Sequence, residues 1–206
     1  MRLPGYKEFC EQQSCKSLVV LEQVHSTNGY VIQQEKDAAV TPYAIDGDYA
    51  VGTVPGVALA LETADCVPLL LVDEAAGCVA AIHAGWRGAI HGVASHAVRD
   101  MVACGSAVET IRAYFGPSAR ACCYQVSPDW PPLASVTSYV DMRQGALYFD
   151  NVLFLISELR KLGIPAQAIM TDYATCTICS KEHCSFRKQV ADLRQIAIVA
   201  LGLRTI

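Results

Sequence analysis

The stretch VALALETADCVPLLLVDEAAGCVAAIHAGWRG, residues 57–88, decides the fold. It holds three short apolar runs rich in Val, Leu and Ala: Val57–Leu61, Val67–Val72 and Cys78–His83. Runs of this length, bounded by charged or turn-forming residues, read as buried strands rather than helices. The next segment, Gly88–Cys104, has a helical period. Ile90, Val93, Ala94, Ala97, Val98 and Met101 fall on one stripe, and Gly105 ends it. Strands followed directly by a helix point to an α/β layer structure.

Working outward, Leu18–Val24 reads as a strand leading into His25, with Gln23 and His25 facing one way and Val24 the other. Asp46-Gly47-Asp48 and Pro55-Gly56 read as turns. Downstream, Ile111–Phe115 is a strand stopped by Gly116-Pro117. A second helix is capped by Asp150 and closed by Gly163 and Pro165 after Leu162. Its apolar face carries Val152, Leu155, Ile156, Leu159 and Leu162. Ile169–Asp172 and Ile196–Leu201 complete the strands. The expected class is α/β (α+β), with a mixed sheet and two or three helices.

Composition narrows the function. The chain has 206 residues, 52% of them hydrophobic, so it can build a core without disulfide staples. Sixteen basic and twenty acidic residues give a net charge of −4, and no Lys/Arg run stands out. Nucleic-acid binding through phosphate contacts is therefore not expected. No apolar stretch is long enough to span a bilayer, and MRLPGYKEFC carries no secretory signal. Ten cysteines in such a chain imply reduced thiols and a cytoplasmic location.

Three segments carry chemistry: EQVHS (Glu22–Ser26), ETADCVPLLL (Glu62–Leu71) and AAIHAGWRGAIHG (Ala80–Gly92). Each sets a His or Cys at a strand end beside small or polar neighbours. His25, Cys66 and His83 suit Zn²⁺, and three protein ligands leave a fourth tetrahedral position for water or substrate. The intervals of 41 and 17 residues match no short ligand motif. A buried thiol with two hydrogen-bonded histidines is the alternative reading.

QVH, TADCVP, HAGWRG and GPSARACCYQV (Gly116–Val126), in this order, resemble the laccase-like or multicopper polyphenol oxidase family, whose members are described as purine nucleoside phosphorylases with adenosine deaminase and methylthioadenosine phosphorylase activity. The resemblance runs from about Leu18 onward and implies a single-domain α/β/α sandwich over residues 1–206, shortened at its N-terminus relative to the family. It implies His25, Cys66 and His83 as ligands of Zn²⁺ rather than Cu²⁺. Asp46 matches a family acidic residue upstream of TADC, and Arg187 the first Arg of a SYRR segment. Ser26 stands where the family has Gly, Cys184 where it has an aromatic residue, and Asp192-Leu193-Arg194 where it has TGR.

The expected activity is zinc-dependent phosphorolysis of adenosine, inosine and methylthioadenosine, with possible deamination of adenosine. Nucleoside and phosphate are the partners. Arg87 and Arg187 hold phosphate, Gln23 and Asp46 contact substrate, and Cys66, His83 and Asp65 serve catalysis, with Asp65 or Asp46 moving a proton or steadying a ligand His. Arg87 sits at a helix start, where anions bind; otherwise it is an ion-paired surface residue. Trp86 reads as packing, and His91 and His96 as solvated.

Two other readings compete. Cys66 could be the nucleophile of a Cys–His hydrolase or amidase with His83 as its base, since the family fold resembles that of Cys–His deamidases. A non-catalytic nucleoside-binding relative is the other. Cys176-x2-Cys179 with His183-Cys184 suggests a second metal cluster, but adjacent His and Cys chelate one ion awkwardly, so ordinary or redox-sensitive thiols are the reading there. Cys122-Cys123 reads as packing.

Overall fold

The computed structural model describes residues 4–13, 15–127, 130, 136–188 and 193–202. The first half of the chain forms α1 (Pro4–Gln13), β1 (Ser17–Val20), β2 (Gly29–Ile32), β3 (Tyr49–Gly52), β4 (Val57–Thr63), β5 (Val67–Asp73) and β6 (Cys78–Ala84). Then come α2 (Trp86–Ile90), α3 (Val93–Ala103), β7 (Arg112–Phe115), β8 (Gln125–Val126), β9 (Val140–Arg143) and β10 (Ala146–Phe149). α4 (Asn151–Lys161), β11 (Ile169–Met170) and β12 (Gln195–Ala200) follow. Asp192 lies outside the described residues.

The central sheet has the order β11-β7-β5-β6-β3-β2 and is mixed: the β7–β5, β5–β6 and β6–β3 pairs are antiparallel, while the β11–β7 and β2–β3 pairs at its edges are parallel. α3 and α4 cover one face; a second sheet, β1-β4-β12, packs on the other. The α/β class and the mixed sheet are as the sequence implies, and the layer over the second face is this three-stranded sheet.

Strand β6 is apolar but for His83, and its packing shows why. Cys78, Ala80, Ile82 and Ala84 face the helices, whereas Val79 and Ala81 face the second sheet. A strand buried on both faces has no polar side to display. Leu71 on β5 is fully buried on the helix side. Leu71→Ala is expected to cost about 2–5 kcal/mol of stability by removing packed atoms and leaving a cavity. The change would be read as a lower urea midpoint with an unchanged slope.

The helix expected over residues 88–104 is two helices. Gly92 has a φ of 87°, a left-handed conformation that ends α2 and lets the chain re-enter a helix in a new direction as α3. Val93, Ala94, Ala97, Val98 and Met101 still form the buried stripe. The helix beginning at Asp150 is as expected: its carboxylate accepts from the Leu153 N–H, and Gly163 terminates the last turn at φ 102°. Its buried face also includes Phe154. The strand expected over Leu18–Val24 stops at Val20, and Glu22 then joins Asp46 in an isolated bridge. His96, expected to be solvated, is half-buried with Nδ1 3.1 Å from the Thr27 carbonyl.

Candidate metal centre and substrate cavity

Strand register assembles the centre. In the β5–β6 hairpin Pro68 lies opposite His83. Cys66, two residues before Pro68, therefore projects on the same side of the sheet as His83. On the other flank of β6, Tyr49 pairs with Ile82, which leaves Asp48 beside His83. The His83 N–H donates to the Asp48 carbonyl at 2.7 Å.

The Asp48 side chain is buried and fully engaged. It accepts from the His25 N–H (3.0 Å), the Ser26 N–H (2.5 Å), the Ser26 hydroxyl (2.8 Å) and Nδ1 of His83 (2.8 Å). Burial works against its charged form, yet the bonds from His83 and Ser26 hold the carboxyl below its usual range. An ionised Asp48 fixes one His83 proton on Nδ1, so that Nε2 is the nitrogen a metal would take once the second proton leaves, the arrangement that orients a metal-ligating imidazole. One carboxylate thus positions His83 directly and His25 through its backbone.

His25 adopts a left-handed backbone with φ 61°. Its Nε2 stands 3.7 Å from Cys66 Sγ, and its ring meets that of His83 edge-on with centroids 4.9 Å apart. The ligand atoms of His25, Cys66 and His83 all lie within 4.8 Å of one another. Zinc bonded to sulfur at about 2.3 Å and to nitrogen at about 2.0 Å spans a tetrahedral N···S edge of about 3.5 Å, so this donor set fits such an ion. Burial raises the Cys66 thiol, but the hydrogen bonds and positive charge of both imidazoles outweigh it and bring the thiol down to about 6. His83 is pushed up to about 9, burial opposing and Asp48 and Cys66 prevailing. A thiolate and an imidazolium therefore coexist at neutral pH, ready to exchange a proton for a cation.

Gly85 leaves room for this contact. A Cβ there would stand 2.7 Å from His25 Cδ2 and 3.2 Å from Cys66 Sγ. Its φ of −62° suits any residue, so only the centre should suffer. Gly85→Ala is expected to lower metal content at least several-fold while leaving thermal unfolding nearly unchanged, checked by elemental analysis beside a melting curve.

The centre opens onto a cavity of about 1040 Å³. Gln23, Asp65, Arg87 and Arg187 all line it. Gln23 spends its amide on the backbone of Glu62, donating to the carbonyl and accepting from the N–H, both at 2.8 Å, and so locks the segment before His25 onto β4. Asp65 has a φ of 84° and accepts from Thr177 Oγ1 (2.6 Å), Ser185 Oγ (3.1 Å) and the Arg187 N–H (2.8 Å). It anchors the segment bearing Arg187. Arg187 also lies 5.2 Å from the Tyr124 ring and donates to the Gln125 carbonyl. Arg87 is exposed over Trp86, which packs on Trp130 with centroids 5.6 Å apart. Asp46 is exposed in its bridge to Glu22 and is not among the residues lining the cavity.

Sequence reasoning missed Asp48 and the Ser26 hydroxyl. A signal for Asp48 existed: it ends the Asp46-Gly47-Asp48 turn, where the next strand begins. Three of the four described non-glycine residues with left-handed backbone, His25, Tyr43 and Asp65, line the cavity. Strain concentrated in one place marks a functional site.

A mixed sheet holding a His–Cys–His donor set at the mouth of an arginine-bearing cavity defines a candidate metal-dependent enzyme. Residues 6–202 match the family described as multi-copper polyphenol oxidoreductase laccase, and the chain belongs to that family. It is 31% identical over 157 residues to a purine nucleoside phosphorylase of Aquifex aeolicus, covering 76% of this chain and 72% of that one. It is 38% identical over 116 residues to adenosine deaminase RL5 from an unknown prokaryotic organism, covering 54% and 44%. Its fold is similar to that of the YfiH hypothetical protein of Bacillus licheniformis, with a TM-score of 0.82, 25% identity, and coverage of 95% and 79%. Among the described residues no helix is long and apolar enough to cross a membrane.

Proposed function

We propose that this chain is a zinc-dependent purine nucleoside phosphorylase acting on adenosine, inosine and methylthioadenosine, with adenosine deamination as a second activity of the same cavity. The observation that carries the reading is the meeting of His25, Cys66 and His83 within 4.8 Å at a cavity lined by Arg87, Arg187 and Arg194. The relatives named phosphorylase and deaminase support the substrate class. His25, Cys66 and His83 would hold the ion, which supplies a Lewis acid and a lowered pKa for water.

In phosphorolysis a phosphate oxygen bonds to the ribose anomeric carbon as the bond to the purine nitrogen breaks, and positive charge builds on the sugar. The arginines neutralise and orient the phosphate, converting a bimolecular encounter into an aligned one. The exposed ring of Phe186 at the cavity edge offers a stacking surface for the purine. Asp48 holds the His83 proton on Nδ1, and Asp65 keeps Arg187 in place. Purified protein given adenosine or inosine with and without phosphate should release free base only with phosphate. Ammonia release from adenosine would report the second activity. Neither base nor ammonia would overturn the reading.

One observation favours a second reading. Cys66, His83 and Asp48 stand in the order nucleophile, base and orienting carboxylate, with the thiol down at about 6 and His83 bonded to Asp48 at 2.8 Å. This is the constellation of a cysteine hydrolase. Rapid alkylation of Cys66 in zinc-replete protein would favour it, and protection of Cys66 by zinc would eliminate it.

A further inference from the structure

We propose that Cys122, Cys123, Cys176 and Cys179 form a second, closed metal centre that takes one zinc-class divalent cation through four thiolates. Their four sulfur atoms lie within 4.8 Å of one another, and Cys122 Sγ is 3.9 Å from Cys179 Sγ. A tetrahedron with zinc–sulfur bonds of about 2.3 Å has sulfur–sulfur edges of about 3.8 Å, whereas a disulfide needs about 2.05 Å. The Cys122–Cys179 pair matches such an edge, and no other pair exceeds it by more than about 1 Å. Four soft ligands in a tetrahedron select zinc over harder cations and leave no corner for substrate, so the role is structural.

The partners differ from those the sequence suggested. His183 turns away, with Nε2 2.7 Å from Thr175 Oγ1, and Cys184 stands apart from the set. Cys176 and Cys179 instead meet the Cys122-Cys123 turn, whose distance in sequence hid the pairing.

The loops around the sulfur atoms carry N–H donors and cations. Backbone N–H groups of Cys179, Arg120 and Ile178 hydrogen-bond the Cys176 sulfur. Arg120 donates to the Ala174 carbonyl, Arg143 to that of Ala121 and Lys188 to that of Ser180. Arg120 and Lys188 thus lie on the loops that would carry a zinc tetrathiolate of charge 2−, and Arg143 reaches one of those loops from β9. The loops are joined beforehand: the Ser118 N–H donates to the Thr175 carbonyl, and the Thr177 N–H returns to the Ser118 carbonyl, both at 3.0 Å. Residues 171–188 have no helix or strand of their own. A closed metal centre gives such a segment the rigidity that packing gives the rest. Thr177, between the two cysteines, bonds Asp65, and Asp65 in turn holds the Arg187 backbone.

The test uses Cys66→Ser protein purified without oxygen, so that occupancy of the other centre does not enter. Elemental analysis is expected to find one zinc per chain, and cobalt replacement should give strong sulfur-to-cobalt charge-transfer absorption. Adding Cys176→Ser and Cys179→Ser should remove both signals. Should the triple variant fail to fold, thiol alkylation of the Cys66→Ser protein decides: zinc must protect all four cysteines at least tenfold. Absence of the cobalt band, unprotected thiols, or a Cys122–Cys179 disulfide in the anaerobic protein would each overturn the proposal.

Discussion

Cys66→Ala is expected to abolish turnover of adenosine with phosphate and to remove metal from the His25–Cys66–His83 centre. The variant takes away the one sulfur donor and leaves two imidazoles 4.9 Å apart with nothing to complete the set. Loss of a single pre-organised electrostatic contact in an active site costs about 10²–10³-fold, or about 2.7–4 kcal/mol of transition-state stabilisation. The drop here should reach at least that range in kcat/KM. The fold should survive, because Cys66 precedes β5 and its side chain is absent from the apolar core. Steady-state kinetics beside elemental analysis check both halves. A variant with wild-type zinc and wild-type turnover would remove Cys66 from the centre.

The second large effect belongs to Asp48→Asn. The amide keeps the shape of the side chain but cannot hold His83 as an imidazolium, and one of its groups must turn a donor toward the donors of Ser26 or His25. Loss of a partner behind a metal ligand typically weakens metal binding 10–100-fold. The pH dependence should move with it. In the wild type a cation must displace the His83 proton, so affinity climbs with pH until about 9. Without the carboxylate the climb should level off closer to 6.5, the ordinary imidazole value.

Metal-free protein should show the matching stability pattern. His83 is raised, so its contribution is complete below 6.5 and fades as pH rises through about 9. Asp48 is lowered, so its contribution is complete above 3.8 and is lost as pH falls below that value. Cys66 is lowered from 9.0 to about 6, so its contribution grows over the window in which that of His83 fades, and the two offset each other. Urea titrations should therefore show the wild type nearly level above 3.8 and losing stability below it, a loss that Asp48→Asn should lack.

Much of this arrangement was legible in the residues. The strands at 57–63, 67–73 and 78–84 follow from the apolar runs at their centres, because a strand buried on both faces has no polar side to alternate with. The donor set was legible as residue types at strand ends and through the ordered QVH, TADC and HAGW motifs. Gly92 escaped because an apolar stripe continues across it, and periodicity does not register a single left-handed residue. Asp48 escaped because its role depends on the register of β3 against β6, a pairing between segments more than thirty residues apart. The cysteine cluster was half legible: Cys176-x2-Cys179 announces itself, but its partners lie on a loop that only the tertiary structure brings near.

The dependence of the His–Cys–His centre on strand register has a consequence for how the protein matures. Its donors come from the approach to β2, the start of β5 and the end of β6, so no local piece of unfolded chain can gather them. A cation would then bind the finished sheet almost exclusively, and its whole affinity would count toward keeping the chain folded. At a hundred times its dissociation constant that amounts to about 2.7 kcal/mol, a substantial share of the margin by which a small protein persists. Scarcity of metal in the cell would thus deplete the protein itself, through turnover of the unfolded form, as well as silence its chemistry.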